Sequence, residues 1–264
     1  MKDCHVHSTY TDKGYDSLEE YVAGAKAKGI DEITITELLE IEEGTPNLLF
    51  NWYKLGVKRS RESLGFKINL GLELGLKPGI KDKISRTVGD RSIDYITAST
   101  NDIDGKKVYE DSFYAGKREE DIYRQYFEHV LNNIDEYGDM FDAYTKLDQV
   151  IRYNKKQRFN YNDYEELLDA IIEKLVNKDK GIEVYTGLCN DKYYLPSPYI
   201  SILRKYKDKG GKIITLGSGA IKSSDLGKYF DYAYDVIESV GFDEIATYHK
   251  REPEFQKIKS IRSK

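Results

Sequence analysis

Short apolar runs, each followed by a longer stretch of helical periodicity, recur about seven times along this chain, and no other feature restricts its fold as tightly. The runs at 2–7, 31–36, 67–74, 93–98, 142–147, 181–185 and 212–217 read as strands, with a weaker one at 243–247. Joining parallel strands takes a crossover long enough to hold a helix, so the alternation predicts parallel strands closed into a barrel. Composition does not break anywhere along the 264 residues, which predicts one domain over 1–264.

The intervening helices have readable ends. Ser17-Leu18-Glu19-Glu20 is a capping box, and Gly29 stops the helix it opens. Asn162 to Asn177 places Leu167, Leu168, Ile171, Ile172 and Leu175 on one face, and Pro198 to Lys209 ends at Gly210-Gly211. The segment 103–118 lacks periodicity and reads as a loop beside the mouth of the barrel.

Charge and cysteine usage narrow the partners. No window approaches 18 consecutive apolar residues and MKDCHVHSTY has no apolar core, so neither a membrane span nor a secretory signal is expected. Two cysteines far apart, Cys4 and Cys189, suit a reducing compartment, and a cytoplasmic protein is expected. A net charge of −5 with no basic run longer than KKQR argues against a nucleic-acid footprint. The expected partner is a small molecule.

Barrels of this kind carry their chemistry at the carboxyl ends of the strands. Those ends read His5-Val6-His7, Thr36-Glu37-Leu38, Leu72-Glu73-Leu74, Ser99-Thr100-Asn101, Thr145-Lys146-Leu147-Asp148, Glu183-Val184-Tyr185-Thr186 and Gly217-Ser218-Gly219-Ala220-Ile221. The ordered set His5-x-His7-Ser8, Ile35-Thr36-Glu37, Gly71-Leu72-Glu73 and Leu216-Gly217-Ser218, with Arg152-Tyr153 and Pro196-Ser197-Pro198, resembles the polymerase and histidinol phosphatase family, closest to its histidinol-phosphate phosphatase branch. The resemblance implies an α/β fold, a distorted parallel (β/α)7 barrel of TIM-like form, around a cluster of divalent metals that hydrolyses a phosphate ester.

Against that family pattern, five expected ligand positions hold Leu38, Asn101, Lys146, Gly219 and Ile221, none of which supplies the expected carboxylate or imidazole. The family's Asn-Thr-Ser on strand six reads Tyr185-Thr186-Gly187. His5, His7 and Glu73 survive as a vestigial set, either empty or weakly holding Zn or Mn; no other cofactor is expected. Clustering of the changes at the strand ends reads as a pocket redesigned on an intact scaffold, and efficient two-metal hydrolysis should be lost.

Several chemistries fit what remains. Lys146, desolvated beside Leu38, Ile221 and Leu188, would be an amine nucleophile forming a Schiff base with a small carbonyl compound, with Tyr185 handling protons. The opposing reading has Lys146 standing in for missing cations, paired with Glu37, Glu73 or Asp148. Cys189 with His5 or His7, and Asn101 or Asn190 as oxyanion donors, would make an ester hydrolase. Residual metal-dependent phosphoester hydrolysis and a non-catalytic binding pocket complete the set. His129, His249 and the tyrosines 229, 232 and 234 read as surface or packing residues.

Overall fold

A computed structural model of the chain describes residues 1–155, 158–189 and 196–263. Its main sheet holds seven strands in sequence order: β1 (Lys2–Val6), β2 (Glu32–Leu39), β3 (Lys67–Gly75), β4 (Tyr95–Ser99), β5 (Ala143–Tyr144), β6 (Gly181–Tyr185) and β7 (Ile214–Gly217). All neighbours pair in parallel. Beyond β7 the chain returns to β1 through a parallel bridge between Val6 and Ala220, with Gly219 N donating to His5 O at 2.8 Å and His7 N donating to Ala220 O at 2.9 Å. The sheet is thereby a nearly closed barrel of the expected kind.

Every residue of β2 is buried, as are eight of the nine in β3. Strands covered by helices outside and by packed side chains inside read as continuous apolar runs rather than alternating ones, which is why the runs were visible in the sequence. Among the described residues, seven helices of eight residues or more surround the sheet: α1 (Leu18–Ala27), α2 (Phe50–Leu64), α3 (Lys81–Val88), α4 (Glu119–Tyr137), α5 (Glu165–Asn177), α6 (Ile200–Asp208) and α7 (Phe230–Ser239). The box before α1 is formed in both directions, Ser17 Oγ accepting from Glu20 N and Glu20 Oε2 accepting from Ser17 N. Leu168, Ile171, Ile172 and Leu175 of α5 are buried against the barrel. Tyr53 of α2 pins the wall more specifically, its hydroxyl lying 2.7 Å from Ile35 O and 2.9 Å from Gly71 O. No described helix is long and apolar enough to cross a membrane.

Two expectations change. The weak strand at 243–247 is β8 (Glu244–His249), which pairs antiparallel with β9 (Glu252–Lys257) and lies outside the main sheet. Its turn, Lys250-Arg251, is left-handed at both residues (φ 50° and 68°), the backbone of a two-residue hairpin turn without the usual Gly or Asn. Arg251 bonds Asp142 and Lys250 N bonds Asp94, so the hairpin plugs the amino-terminal end of the barrel, opposite the carboxyl ends of the strands. The segment 103–118 also gains structure: Asp102–Ile103 pairs with Lys106–Lys107, and Asp111–Tyr114 is helical. Its buried anchors Ile103, Val108 and Phe113 are five apart, a spacing that matches neither a helix nor a strand.

Candidate metal centre

His5 and His7, two residues apart at the end of β1, point to the same side of the strand. Glu73 of β3 reaches the same point: His5 Nε2 lies 3.0 Å from Glu73 Oε2 and 3.1 Å from His7 Nε2, and His7 Nε2 lies 3.6 Å from Glu73 Oε2. All three residues are buried, and among the described residues they are the group of potential ligands that could hold a metal ion. A tetrahedral ion with bonds of about 2.0–2.1 Å sets its donors about 3.3 Å apart, so these spacings fit a two-histidine, one-carboxylate ligand set with an open position. His5 is further fixed from behind, its Nδ1 lying 2.7 Å from Glu183 Oε1. That carboxylate–histidine pairing leaves Nε2 for a metal, the usual outer-shell arrangement of a ligand imidazole. His7 has no such support; its Nδ1 is buried without a hydrogen-bond partner.

Charges in this cluster are sharply divided. Burial alone would depress His5, but Glu183 and Glu73 reverse it and push the imidazole up to about 9. Burial and the neighbouring His5 charge drop His7 to about 3. Burial would raise Glu73, yet Lys146, His5 and His7 hold it well below the ordinary carboxylate range. Lys146 follows from the same pair: desolvation pulls its pKa down, and the charge and hydrogen bond of Glu73 carry it above its usual value. The Lys146 ammonium is bonded to Glu73 Oε1, with a side chain 12% exposed. Two residues past the end of β5, the Lys146 backbone is left-handed (φ 52°), a conformation uncommon for a residue with a β-carbon.

A cavity of about 380 Å³ opens above these groups, lined by His7, Leu38, Glu73, Asn101, Lys146, Tyr185, Gly219 and Ile221 together with Lys13, Tyr109, Gln149 and Tyr153. Of the eight catalytic and pocket positions read from the sequence, six, Leu38, Asn101, Lys146, Tyr185, Gly219 and Ile221, therefore do converge, alongside His7 and Glu73 of the ligand set. Leu188 and Cys189 do not line it. A larger hollow of about 610 Å³ beside α2 holds no such cluster, and its Lys54 and Arg61 are paired with Asp90 and Asp94.

Particular roles need correction. Lys146 is not the depressed amine that desolvation alone would make, because a buried carboxylate sits against it. Ile221 is 37% exposed and stands at the rim, so it does little to dry the lysine. Burial raises the Cys189 thiol to about 11, and the charges it senses are Arg152 and Asp148 rather than the histidines. Asn190 lies outside the described residues. Asn101 is engaged with Glu40 and Gln149. Burial raises Tyr185 well above its ordinary value, so its hydroxyl stays protonated at neutral pH and can donate a hydrogen bond but is a poor proton-transfer group. Glu37 does not join the cluster: it accepts from Ser8 N at 2.7 Å and from the Ser8 and Thr11 hydroxyls, tying down the loop after β1. That loop delivers Lys13 to the cavity, a residue no periodicity could have marked. Glu183 was legible in principle, since it precedes Tyr185 by two on β6 and shares its face.

Tyr185 explains the small residue at position 219. Its ring stacks edge-on against His5 at 5.0 Å between centroids, and a β-carbon added at Gly219 would lie 2.1 Å from its hydroxyl. The tyrosine thus fills space where a longer side chain at 219 would reach inward.

Comparison with known proteins matches this geometry. The family model described as the PHP domain matches residues 3–187. The histidinol-phosphatase of Lactococcus lactis subsp. lactis (strain IL1403) is 27% identical over 253 residues, 93% of each chain. A Thermotoga maritima protein named "Probable histidinol-phosphatase" is 24% identical over 252 residues, 95% of this chain and 97% of its own. The crystal structure of the Lactococcus lactis histidinol phosphate phosphatase, complexed with Zn, L-histidinol and phosphate, superposes with a TM-score of 0.85 at 25% identity, covering 96% of this chain and 98% of that one. With the barrel, the strand-end histidines and this match in hand, the chain belongs to the PHP domain family, in its histidinol-phosphatase branch.

Proposed function

We propose that this protein is a metal-dependent phosphoester hydrolase working with one divalent ion, Zn or Mn, held by His5, His7 and Glu73. The observation that supports it most directly is the convergence of His5 Nε2, His7 Nε2 and Glu73 Oε2 on one point at the floor of an open cavity, with Glu183 behind His5. A bound ion supplies Lewis acidity and a water of lowered pKa to such a site. The chain's own residues supply the rest. Glu183 fixes the His5 ring, and Thr145 donates its hydroxyl to the same carboxylate oxygen. Lys146 and Lys13 line the cavity and offer positive charge to a phosphate group. Tyr185 keeps its hydroxyl proton and faces the cavity, placed to donate to a phosphoryl oxygen. The relative whose structure holds Zn, L-histidinol and phosphate lends the substrate class its support.

The amine reading, an aldolase-type reaction through a Schiff base at Lys146, is opposed by the Lys146–Glu73 pair, which keeps the amine protonated. A Cys189–histidine hydrolase is opposed by a thiol raised to about 11. A single domain over 1–264 and a cytoplasmic site of action remain part of the proposal.

The test is phosphate release from histidinol phosphate and p-nitrophenyl phosphate by chelator-stripped protein reloaded with Zn²⁺ or Mn²⁺. Slow, metal-dependent release that His7→Ala abolishes is expected. Release no faster than from folded His7→Ala with either metal would leave a non-catalytic binding pocket as the better reading.

A further inference from the structure

We propose that Lys146 is a built-in second cation: the site takes one divalent ion and no more, and the Lys146 ammonium presents the remaining positive charge to an anion in the cavity. The proposal rests on the metal-site reading above. It is carried by the way the two oxygens of Glu73 are divided. Oε2 faces the Nε2 atoms of His5 and His7, whereas Oε1 accepts from Ser99 Oγ at 2.6 Å and from the Lys146 ammonium. An ion held by the histidines and Oε2 leaves the lysine in place. A second ion would have to share Glu73 through Oε1, where the ammonium already sits.

Among the described residues, no further imidazole, thiol or carboxylate joins His5, His7 and Glu73 to hold that second ion. The Tyr185 ring borders both groups, its centre 5.0 Å from that of the His5 ring and 5.6 Å from Lys146 Nζ. The tyrosine hydroxyl is wedged against Gly187 and Gly219, where an added β-carbon would lie 2.5 and 2.1 Å away. Asn101 is turned to Glu40 and Gln149, and Leu38 is apolar. Lys13 shares the cavity, so a small phosphate or carboxylate there meets two ammonium groups beside the ion.

The test is metal titration of the full chain, with Mn²⁺ followed by the electron spin resonance of free ion and Zn²⁺ by calorimetry. Wild type should bind at most one equivalent. Lys146→Met removes the competing charge from a buried carboxylate and should tighten binding at least tenfold, whereas Lys146→Arg should stay within about threefold of wild type. Two equivalents in wild type, unchanged or weaker binding by folded Lys146→Met, or equal tightening by Lys146→Arg would each overturn the proposal. If Lys146→Met does not fold, wild-type stoichiometry and Lys146→Gln decide it by the same criteria. One tightly bound ion in Lys146→Met without phosphate release by wild type would sink the hydrolase reading and leave this one standing. Mn²⁺ binding that His7→Ala leaves unchanged would overturn both.

Discussion

Glu183 and His5 are 178 residues apart in sequence and meet across the barrel floor, Oε1 to Nδ1 at 2.7 Å. The contact fixes which imidazole nitrogen faces the cavity, and through it β6 controls a ligand carried by β1. Neither strand could orient that ring alone.

Glu183→Gln tests this relationship. The amide can still meet His5 Nδ1 but supplies no charge, and loss of an outer-shell carboxylate typically weakens a metal site 10- to 100-fold. Zn²⁺ affinity should fall within that range with little change in secondary structure. An affinity within threefold of wild type would show that His5 is held by its packing alone.

Lys146 matters to the metal-free protein as well. Removing one partner from a largely buried ion pair leaves a charge without compensation and costs about 3 kcal/mol. Lys146→Met should lose about that much stability to urea in the presence of a chelator, and recover part of it with saturating Mn²⁺. Equal stability in chelator would mean that His5 alone neutralises Glu73.

Imine trapping gives the clearest view of the lysine's protonation. With its pKa raised, Lys146 should form no borohydride-reducible adduct with an aromatic aldehyde at pH 7 to 8. A peptide map showing Lys146 modified under those conditions, and absent in Lys146→Met, would reinstate amine catalysis.

Cys189 should behave as a slow thiol. Its pKa is raised from about 9 to about 11, so the thiolate is the minor form at pH 8 and its alkylation by iodoacetamide should rise about tenfold per pH unit up to pH 11. A rate already level at pH 8 would indicate an activated cysteine. Cys4, fully enclosed near the barrel floor, should stay unmodified in the folded protein.

Position 219 links a missing ligand to a neighbour. Gly219→Asp places a β-carbon against the Tyr185 hydroxyl and forces a left-handed backbone (φ 62°) on a residue other than glycine, and should cost about 2 kcal/mol or more. In a Tyr185→Asn background Gly219→Asp should cost less than in wild type, because the steric clash is gone and only the backbone strain remains, and the new carboxylate can approach His5. Urea unfolding of the single and double variants measures the coupling; equal losses in both would show that Tyr185 is not the obstacle.

The barrel was legible because its causes are local. Apolar runs of strand length, a capping box at Ser17 and a helical face from Leu168 to Leu175 each report their own segment, and together they leave few topologies. The strand ends were legible too, since His5, His7 and Glu73 sit where a barrel strand must deliver side chains. The hairpin of β8 and β9 was not, because its turn relies on left-handed Lys250 and Arg251, residues whose types give no such sign. The character of Lys146 was decided by tertiary structure alone. Sequence left it open between an uncharged amine beside Leu38 and Ile221 and a cation paired with Glu37, Glu73 or Asp148; the fold placed it on Glu73, 73 residues away, which keeps it an ammonium ion. A pKa follows from distances to charge and from solvent access, and these are fixed only once β3 and β5 are drawn to the same end of the barrel.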